Sequence, residues 1–578
     1  MIAEFDKSPR PPLERSALRL WQLWGRPESW KIAAETGLVF LVFVIQGALP
    51  VPEVNEPYYL GKAIHFWNPH WAANDFFLNT ADCHKVFYFT FGWLALWLTP
   101  TALAWTGRLL TWALLAWAWR RLSFAVVPRA WWAVPTAVLL VVLTKWFPMA
   151  GEWIIGGVEA KGFAYVLVFL GLEAILRNRW RRTWLLLGGA SAFHVLVGGW
   201  SAVAAGIVWL LSPRDRTPLR SLWPWILGGL ALSMFGVLPA LRLSSGIDPQ
   251  IVRQADMIYV YERLPHHLVP SEFPLVQVVR FLGLTLGYFL LDRLVPGGGP
   301  RRRLRWFTVG SLAIAAVGMG ANILGRWNAE LAAGLLKYYW FRLSDVAVPL
   351  AAALLAADVL TKLPALLVGR WGTPARRRLA GRWIGRLTWA AVVVWAGVGA
   401  VSVALPRIPP ADAGDAAQYW AWRRACQWIA DPAHTPADAR FLTPMNAQTF
   451  KWYSGRSEVV NWKEIPQDAR SIVRWWDRLH AIHDTGSDDD NQRWFASLGD
   501  MGPQRLRRLG RQFAADYVLT ERNPDLPLPV VYQNEMYIVY RLRKVYRLRE
   551  VSPGGHAGRV TPPDAVHSVD LLRPEVSR

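Results

Sequence analysis

Long apolar runs separated by short polar stretches repeat along the first 405 residues of the chain. Many of these runs approach the length of about 20 residues that an α-helix needs to cross a bilayer. The pattern therefore predicts eleven membrane-spanning helices. Their predicted bounds are 31–50, 102–119, 131–147, 162–176, 183–196, 198–211, 222–241, 275–292, 306–324, 343–360 and 387–405.

The composition agrees with this pattern. The 578 residues are 53% hydrophobic and include 36 tryptophans, which is rare in a water-soluble domain. The predicted fold class is a polytopic α-helical membrane protein. The two cysteines, Cys83 and Cys426, exclude a disulfide framework or a cysteine-rich metal site. They form either a single bridge or two unrelated thiols.

The net charge of +22 raises the question of a nucleic-acid partner. The distribution argues against one, because the arginines gather in every second loop between apolar runs, as positive-inside topology produces. This pattern places the N-terminal segment 1–30 in the cytoplasm and the C-terminal region outside. The chain is predicted to be a multi-pass protein of the inner (cytoplasmic) membrane. The basic loops are 120–129, 177–182, 214–220, 301–305 and 370–386.

Two apolar stretches allow more than one interpretation. Residues 85–100 are nearly long enough to span, but a span there would put the arginines of 120–129 outside. We therefore predict a helix in the outer interface. Residues 183–211 form either one long helix or two helices joined by a tight turn near 197. The flanking arginines and the central "HVLVGG" favour two helices.

Nearly all the reactive side chains fall in the outer loops 51–100, 148–161, 242–274 and 325–342. The first loop begins "PEVNEPYYLGKAIHFW" and has the spacing of a short interfacial helix, with Asn55 as N-cap and Pro57 in the first turn. Glu56 would then lie at the start of this helix, at the mouth of the first span. The alternative is a solvated loop with aromatic anchors at the headgroup level.

The segment "GEWIIGGVEAKGFAY" places Glu159 and Lys161 where an outer loop meets a span. Charged groups at this depth are costly unless they are paired or line a wet cavity, so the two form either a structural ion pair or part of a site. The glycine pair 156–157 permits a tight turn or a close approach to a ligand. His194, followed by a second Gly-Gly, is either a satisfied core histidine or a functional one.

The longest outer loop supplies Tyr259, Arg263, His266 and His267, and "LKYYWFRLSD" supplies Arg342. The two histidines, on a segment predicted to be extended, would point in opposite directions, which argues against a shared metal. Arginine, histidine and tyrosine outside a membrane suit a phosphate-bearing ligand. The alternative for Arg342 is an aromatic belt with an i,i+3 pair to Asp345.

Residues 406–545 have short apolar runs and balanced charge, which predicts a small α/β domain outside the membrane. Helices are predicted at 414–430, 467–482 and 503–513, and strands at 439–443, 515–520 and 535–542. The aromatic and basic stretch 447–469 either stacks on a sugar or docks the domain on the spans. The Pro/Gly/Arg-rich tail 546–578 is predicted to be disordered.

This layout, with one span, an outer loop with an early acidic residue, many spans and an outer α/β domain, resembles the type C glycosyltransferase (GT-C) superfamily over most of the chain. The motif "VNEPYYL" resembles the acidic motif of that family, with Glu56 in the acidic position and Asn55 where many members have Asp. The segments "GGVEAKG" and "FHVLVGGW" look like those of a bacterial branch.

The resemblance implies a membrane enzyme that moves a sugar from a polyprenyl-phosphate donor to a glycan, lipid or protein acceptor, with Glu56 as general base. Such a transfer needs a carboxylate to take the hydroxyl proton and positive charge for the leaving phosphate. Predicted substrate-binding residues are Glu159, Lys161, His194, Tyr259, Arg263, His266, His267 and Arg342.

A second hypothesis is a non-catalytic membrane scaffold or export partner with the same fold. It predicts that Glu56 faces solvent, remote from any cavity, whereas the enzyme needs Glu56, Arg342 and residues 259–267 around one outer-face cavity. No cofactor is required by the pattern. A divalent cation is possible, because Glu53, Glu56, Asp75 and Asp82 could supply a weak oxygen-ligand site.

Overall fold

The computed structural model describes residues 29–543, apart from 214–215, 296, 369–372, 413, 488 and 490–492. Most of the predicted cytoplasmic segment 1–30 and all of the predicted tail 546–578 lie outside the described residues. The domain boundaries at both ends therefore stay predictions.

Each of the eleven predicted spans falls on a helix. Two helices begin well before their apolar runs, because the arginine-rich stretches at 299–305 and 374–386 continue the helix and arginine is a good helix former. The eleven helices are Ser29–Gly47, Pro100–Val126, Ala133–Trp146, Ala160–Leu176, Trp180–Phe193, Val195–Leu210, Leu219–Arg242, Leu275–Leu294, Gly299–Leu324, Arg342–Val368 and Pro374–Ala404.

Length and hydropathy mark six helices of the described residues as able to cross a membrane. Two others, Ala133–Trp146 and Val195–Leu210, are apolar but shorter. Pro100–Val126 is long but carries Arg108, Arg120 and Arg121. The count of eleven spans therefore stays a prediction. The six are Ser29–Gly47, Leu219–Arg242, Leu275–Leu294, Gly299–Leu324, Arg342–Val368 and Pro374–Ala404.

The first outer loop folds into short helices. Helix Glu56–Trp67 has Asn55 at the N-cap position, but the Asn55 side chain does not cap the helix and instead donates to Glu159 Oε1 at 2.7 Å. Residues 85–100 form an α-helix, Lys85–Thr90, and a 3-10 helix, Gly92–Leu96. At about 1.5–2 Å per residue each is far too short to cross a bilayer.

His194 divides the stretch 183–211 into two helices. Its backbone is extended, with φ −150° and ψ 103°, between one helix ending at Phe193 and the next beginning at Val195. The predicted turn near 197 lies three residues too late. Gly198 is inside the second helix, where a Cβ would lie 2.1 Å from Ser191 N, so this glycine permits close packing of the two helices.

Buried carboxylates tie the helices together near their predicted cytoplasmic ends. Glu35 accepts from Arg120 Nε at 3.1 Å and from the Ala133 amide at 3.0 Å. Glu173 pairs with Arg121 at 3.2 Å. Each buried charge therefore has a partner, as the cost of desolvating an isolated ion requires.

Short helical pieces cover the predicted outer side between the long helices. They are Pro249–Met257, a π-helix Ile258–Arg263, Pro265–Leu268, a 3-10 helix Pro270–Glu272, and Ala329–Leu336. Helix Pro249–Met257 packs against both Ala329–Leu336 and Ala469–His483. The outer loops are thereby joined to the C-terminal region.

The C-terminal region forms a five-stranded sheet with strands β1 Arg440–Leu442, β2 Ser457–Glu458, β3 Tyr517–Glu521, β4 Val530–Gln533 and β5 Tyr537–Arg541. The strand order is β2-β1-β3-β5-β4. β1 runs parallel to β2 and β3, and β5 runs antiparallel to β3 and β4. The accompanying helices are Ala416–Ala430, Phe450–Ser454, Ala469–His483, a 3-10 helix Leu498–Met501, and Gly502–Gln512.

A buried ion cluster docks the sheet region on the first outer loop. Lys451 Nζ lies 2.6 Å from Glu458 Oε1 and 3.2 Å from Asp75 Oδ2, and it also pairs with Glu464. Asp75 further accepts from the Glu458 amide at 3.1 Å. The stretch 447–469 is predicted either to stack on a sugar or to dock the domain on the spans. The contacts of Lys451 correspond to docking.

Candidate active site

Six segments that are far apart in sequence meet at the predicted outer ends of the helices. They are residues 53–84, 148–161, His194, 258–267, 336–345 and 461–467. We call their polar and charged meeting point the outer cluster. It consists of Glu53, Asn55, Glu56, Glu152, Glu159, Lys161, His194, Arg342 and Lys463.

Glu56 is fully buried, and every acceptor position of its carboxylate is occupied. Arg108 donates through Nε to Oε1 at 2.7 Å and through Nη2 to Oε2 at 2.8 Å. The amides of Val158 and Glu53 donate to Oε1 at 3.0 Å and to Oε2 at 2.8 Å. A carboxylate has about four lone-pair positions, so these four bonds leave none for a substrate. Glu56 therefore anchors two loops to Arg108.

Glu53, three residues earlier, is the carboxylate that remains available. Its Oε2 is buried and has no hydrogen-bond partner among the described residues. Burial, followed by the charges of Glu159 and Glu56, raises the pKa of Glu53 to about 7. A carboxyl group with this pKa is suited to take a proton at neutral pH.

Gly157 lets these two carboxylates approach the loop that follows. A Cβ at this position would lie 2.9 Å from Glu53 Cβ and 3.0 Å from Glu56 Cγ. Carbon atoms normally approach to about 3.5–4.0 Å, so any side chain here would displace one of them. Of the two predicted roles for the glycine pair, Gly157 thus has the close approach. The groups that approach it are the chain's own glutamates and not a ligand.

A chain of alternating charges continues from this point to His194. Lys161 Nζ lies 3.5 Å from Glu159 Oε2 and 3.8 Å from Glu152 Oε1. Arg342 Nε lies 3.1 Å from Glu152 Oε2, and Arg342 Nη1 lies 3.0 Å from His194 Nε2. Because arginine can only donate, His194 must accept through Nε2 as a neutral imidazole.

Asp345 fixes the loop that carries Glu152. Its carboxylate accepts from the amides of Met149 and Ala150, both at 2.8 Å, and from the Glu152 amide at 3.3 Å. The i,i+3 pair between Arg342 and Asp345 that the sequence allows is therefore not formed. Each residue holds a different part of the 148–161 loop instead.

Aromatic and basic residues of 258–267 close one side of the site. Tyr259 Oη lies 3.2 Å from Tyr339 Oη, and the Arg342 guanidinium lies 4.1 Å from the centre of the Tyr339 ring. Tyr339 has φ +53°, which is uncommon outside glycine and concentrates at functional sites. Arg263 Nε donates to the Trp462 carbonyl at 3.0 Å, which ties this side to the sheet region.

His266 and His267 lie in the helical turn Pro265–Leu268, so the extended segment predicted for them is wrong and their rings lie 4.1 Å apart. His267 Nδ1 lies 2.6 Å from the Ala150 carbonyl and must be the donor. Burial lowers the pKa of His267 to about 3, so the ring is neutral. Burial and the charge of Arg263 also lower the pKa of His266.

Lys463 enters the site from the sheet region. Burial, followed by the charge of Arg263, lowers the pKa of Lys463 to about 8, while Glu159 and Glu53 act in the opposite direction. The charges of these two carboxylates favour the protonated form of Lys463, but not enough to offset its burial. Lys463 is therefore a cation at neutral pH that loses its proton only slightly above it.

A cavity of 410 Å³ opens beside the outer cluster, between the outer ends of three helices predicted to span. Glu152 and Trp153 form its inner wall, and Lys161 Nζ lies 4.0 Å from the centre of a Trp153 ring. The exposed cations Lys145 and Arg280 stand at its outer side. The cavity thus connects the predicted membrane surface to the charge network.

The four carboxylates considered for a cation do not gather. Asp75 is held by Lys451, Glu56 by Arg108, and Asp82 lies 3.7 Å from Lys62. In the part of the chain that the structure describes, no three His, Cys, Asp or Glu side chains form a metal-binding group. These residues do not fit a divalent cation.

Of the residues that the sequence nominated, the structure joins Glu159, Lys161, His194 and Arg342 in one network through Glu152. It also adds three residues to the candidate site. Arg108 could have been noticed as a lone arginine inside an apolar helix, which is costly without a partner. Glu53 was visible beside Glu56, but only the fold distinguishes the two. Lys463 lies in a segment rich in charges and gave no separate signal.

Comparisons with known proteins give limited matches. A family model described as a domain of unknown function, DUF6798, matches residues 420–482. No curated protein matches the chain. Similar solved structures are of the oligosaccharyltransferase of Archaeoglobus fulgidus. Its apo form has a TM-score of 0.44 and 11% identity, covering 86% of this chain and 70% of that one.

Two further structures of that protein are similar. The complex with Zn and sulfate has a TM-score of 0.40 and 12% identity, covering 84% of this chain and 67% of that one. The complex of AglB with an inhibitory peptide and a dolichol-phosphate has a TM-score of 0.41 and 11% identity, covering 85% and 69%. Similarity at this level carries no argument about substrate or mechanism.

Proposed function

We propose that the protein is a membrane glycosyltransferase that moves a sugar from a polyprenyl-phosphate donor to a hydroxyl group at the outer face of the membrane. One observation carries the proposal. Glu53 has a buried, unpartnered Oε2 among the described residues and a pKa raised to about 7 by burial, at the point where the predicted outer loops meet. The acceptor would be a glycan, a lipid or a protein.

The reaction assigns a task to this carboxylate. The acceptor oxygen bonds to the anomeric carbon while the bond from that carbon to the phosphate oxygen breaks. The hydroxyl proton passes to Glu53, and the departing polyprenyl phosphate keeps the bonding electron pair. Base catalysis is most effective when the pKa of the base lies near the working pH, which the Glu53 value satisfies.

The leaving phosphate needs positive charge in a site shielded from water. Lys161, Arg342 and Lys463 supply it, and the buried Lys161 and half-buried Arg342 belong to the ion network. His267 is neutral and would contribute a hydrogen bond only. Tyr259, Arg263 and His266 lie on the same side and would complete the binding of acceptor or phosphate.

The donor would enter through the 410 Å³ cavity. Arginine binds phosphate with two parallel hydrogen bonds and lysine binds it as a point charge, so Arg280 and Lys145 suit the donor phosphate as it enters, before it reaches the three inner cations. The helix Leu275–Leu294, which begins beside this cavity, exposes an apolar face for the polyprenyl chain. That face includes Leu275, Val276, Val279 and Leu282.

Glu56 takes a different part in this proposal from the one that the family resemblance implies. Its lone pairs are filled, so it acts by holding the Glu53 and Val158 amides against Arg108. We infer that Glu56 is a positioning residue and that Glu53 is the general base. The two glutamates of "PEVNE" then divide the roles of anchor and base.

The enzyme hypothesis predicts Glu56, Arg342 and residues 259–267 around one cavity, but none of them lines the 410 Å³ cavity. The scaffold hypothesis predicts a solvent-facing Glu56 remote from any cavity, and the first half of that prediction is wrong because Glu56 has no exposed surface. It also predicts that no polyprenyl-phosphate sugar is turned over. That outcome would favour the scaffold.

The test compares three glutamine variants in purified, reconstituted protein with a panel of polyprenyl-phosphate sugars. Glu53→Gln keeps the shape and removes the base, so transfer should fall at least a hundredfold while the protein stays folded. The main effect of Glu56→Gln should be a lower free energy of unfolding. Glu272→Gln, on an exposed outer helix, is the control and should be unchanged. Full activity of Glu53→Gln would remove Glu53 from the reaction.

A further inference from the structure

A second cavity, of 340 Å³, lies within the C-terminal sheet region and contains none of the outer cluster. One part of its wall is aromatic, with Tyr419, Trp422 and Tyr537, and the Trp422 and Tyr537 rings meet edge to face at 5.3 Å. Its size and mixed lining are those of a small-molecule site. The polar lining residues are Asp412, Gln418, Asn446, Thr449, His483 and Glu521.

The polar wall is arranged in advance. Thr449 Oγ1 accepts from Trp422 Nε1 at 2.9 Å and donates to Asp412 Oδ1 at 2.6 Å. Gln418 Nε2 donates to the Tyr537 hydroxyl at 3.2 Å. These bonds fix the directions of the aromatic rings and of one carboxylate before any ligand binds.

One buried polar atom of this wall has no hydrogen-bond partner among the described residues. His483 is 2% exposed, and its Nε2 has no partner among the described residues. Burial, followed by the charge of Arg505, lowers the pKa of His483 to about 3, so the ring is uncharged. A buried polar atom without a partner is costly, and a ligand hydroxyl would satisfy it as donor or acceptor.

The charges of the wall select the class of ligand. Its described lining residues include two carboxylates, Asp412 and Glu521, and no lysine or arginine. A phosphate or a uronic acid would therefore be repelled. Carboxylate, amide and hydroxyl groups beside flat aromatic rings suit a neutral molecule with many hydroxyl groups and an apolar face.

We propose that this cavity binds a neutral saccharide unit. The proposal goes beyond the glycosyl-transfer reaction and does not depend on Glu53. A bound sugar would receive hydrogen bonds from Gln418 and Asn446, donate to Glu521, and bond to His483 Nε2. If the transfer reaction also holds, the site would keep a glycan close to the outer cluster.

The test is isothermal titration calorimetry on the full chain in lipid nanodiscs, because 36 tryptophans would mask a fluorescence change and alkyl-glycoside detergents would compete. The ligands are neutral mono- and disaccharides, the matching uronic acids, and a quaternary ammonium alcohol. Asn446→Ala is the first variant, since it removes a wall amide. Gln512→Ala, at an exposed helix end, is its control. His483→Phe, which keeps a ring and removes Nε2, is paired with His480→Phe, on the same helix but outside the wall.

We expect at least one neutral saccharide to bind and the uronic acids not to bind. Asn446→Ala and His483→Phe should weaken binding about tenfold, the effect of one lost hydrogen bond, while the controls stay within twofold. Absence of binding by every neutral sugar would overturn the proposal. So would binding that ignores both variants, or binding of the ammonium alcohol alone. Loss of transfer in Glu53→Gln with sugar binding intact would separate this site from the proposed reaction.

Discussion

The pair Glu56–Arg108 offers the sharpest test of the site's construction. Both side chains have no exposed surface, and Arg108 Nη1 also donates to the Leu49 carbonyl at 2.5 Å. The perturbation is a double-mutant cycle made of Arg108→Met, Glu56→Gln and the double variant. Methionine keeps length without charge, and glutamine keeps the shape of glutamate.

The magnitude follows from the burial. Removing one partner leaves an uncompensated buried charge, so each single variant should lower the free energy of unfolding by about 3–5 kcal/mol. The double variant has no buried charge, but the glutamine NH₂ faces an amide of Glu53 or Val158 that then lacks an acceptor. That group should cost about 1–3 kcal/mol. The interaction energy of the cycle should therefore be about 3 kcal/mol or more.

The assay is unfolding in mixed micelles, with dodecyl maltoside titrated with sodium dodecyl sulfate and followed by circular dichroism. The control cycle uses Arg253→Met and Glu330→Gln, an outer pair at 3.3 Å whose side chains are 51% and 61% exposed. An exposed pair should couple by less than about 1 kcal/mol. Additive single effects at Glu56 and Arg108, as small as those of the control, would refute the anchoring role.

Three further predictions concern activity. The pH profile of kcat/KM should rise through about pH 7 as Glu53 loses its proton and fall above about pH 8 as Lys463 loses its charge. Glu53→Gln should lose both the activity and the rise near pH 7. Lys463→Met should keep the rise near pH 7. Gly157→Ala should reduce transfer at least tenfold with the fold retained, while Gly206→Ala, in open space on a helix, should be neutral; equal rates would contradict the close-packing argument. Replacing both cations of the 410 Å³ cavity by glutamine should raise KM for the lipid donor several-fold at unchanged kcat, measured in liposomes, and an unchanged KM would move the donor elsewhere.

The positions of the helices could be predicted because they depend on local properties. Hydropathy and the length of apolar runs placed all eleven long helices, and alternating residues placed three of the five strands. The missed strands are the two-residue Ser457–Glu458 and the edge strand Val530–Gln533. Ser457–Glu458 has only two residues and shows no period, and Val530–Gln533 does not alternate between buried and exposed positions. Both exist because a neighbouring strand supplies their hydrogen bonds.

The roles inside the site could not be predicted in the same way. Glu53 and Glu56 differ by their partners, and the decisive ones are 52 and 102 residues away from Glu56, at Arg108 and Val158. Sequence pattern marks which residue types gather on one face. It does not say which of two neighbouring carboxylates receives four hydrogen bonds and which receives none at Oε2.

The proposed division of roles gives a physical reason for two glutamates in one turn of chain. A base needs a free lone pair and a partly dry environment, and both tend to loosen the loop that carries it. Glu56 offsets this by binding its own loop and the 148–161 loop to a single buried arginine. Gly157 then allows the second loop to press against Glu53, which supplies the burial that raises the Glu53 pKa. Experiments should therefore separate the anchoring bonds from the proposed base. Glu56→Gln should mainly lower the free energy of unfolding, and Glu53→Gln should mainly lower the rate of transfer.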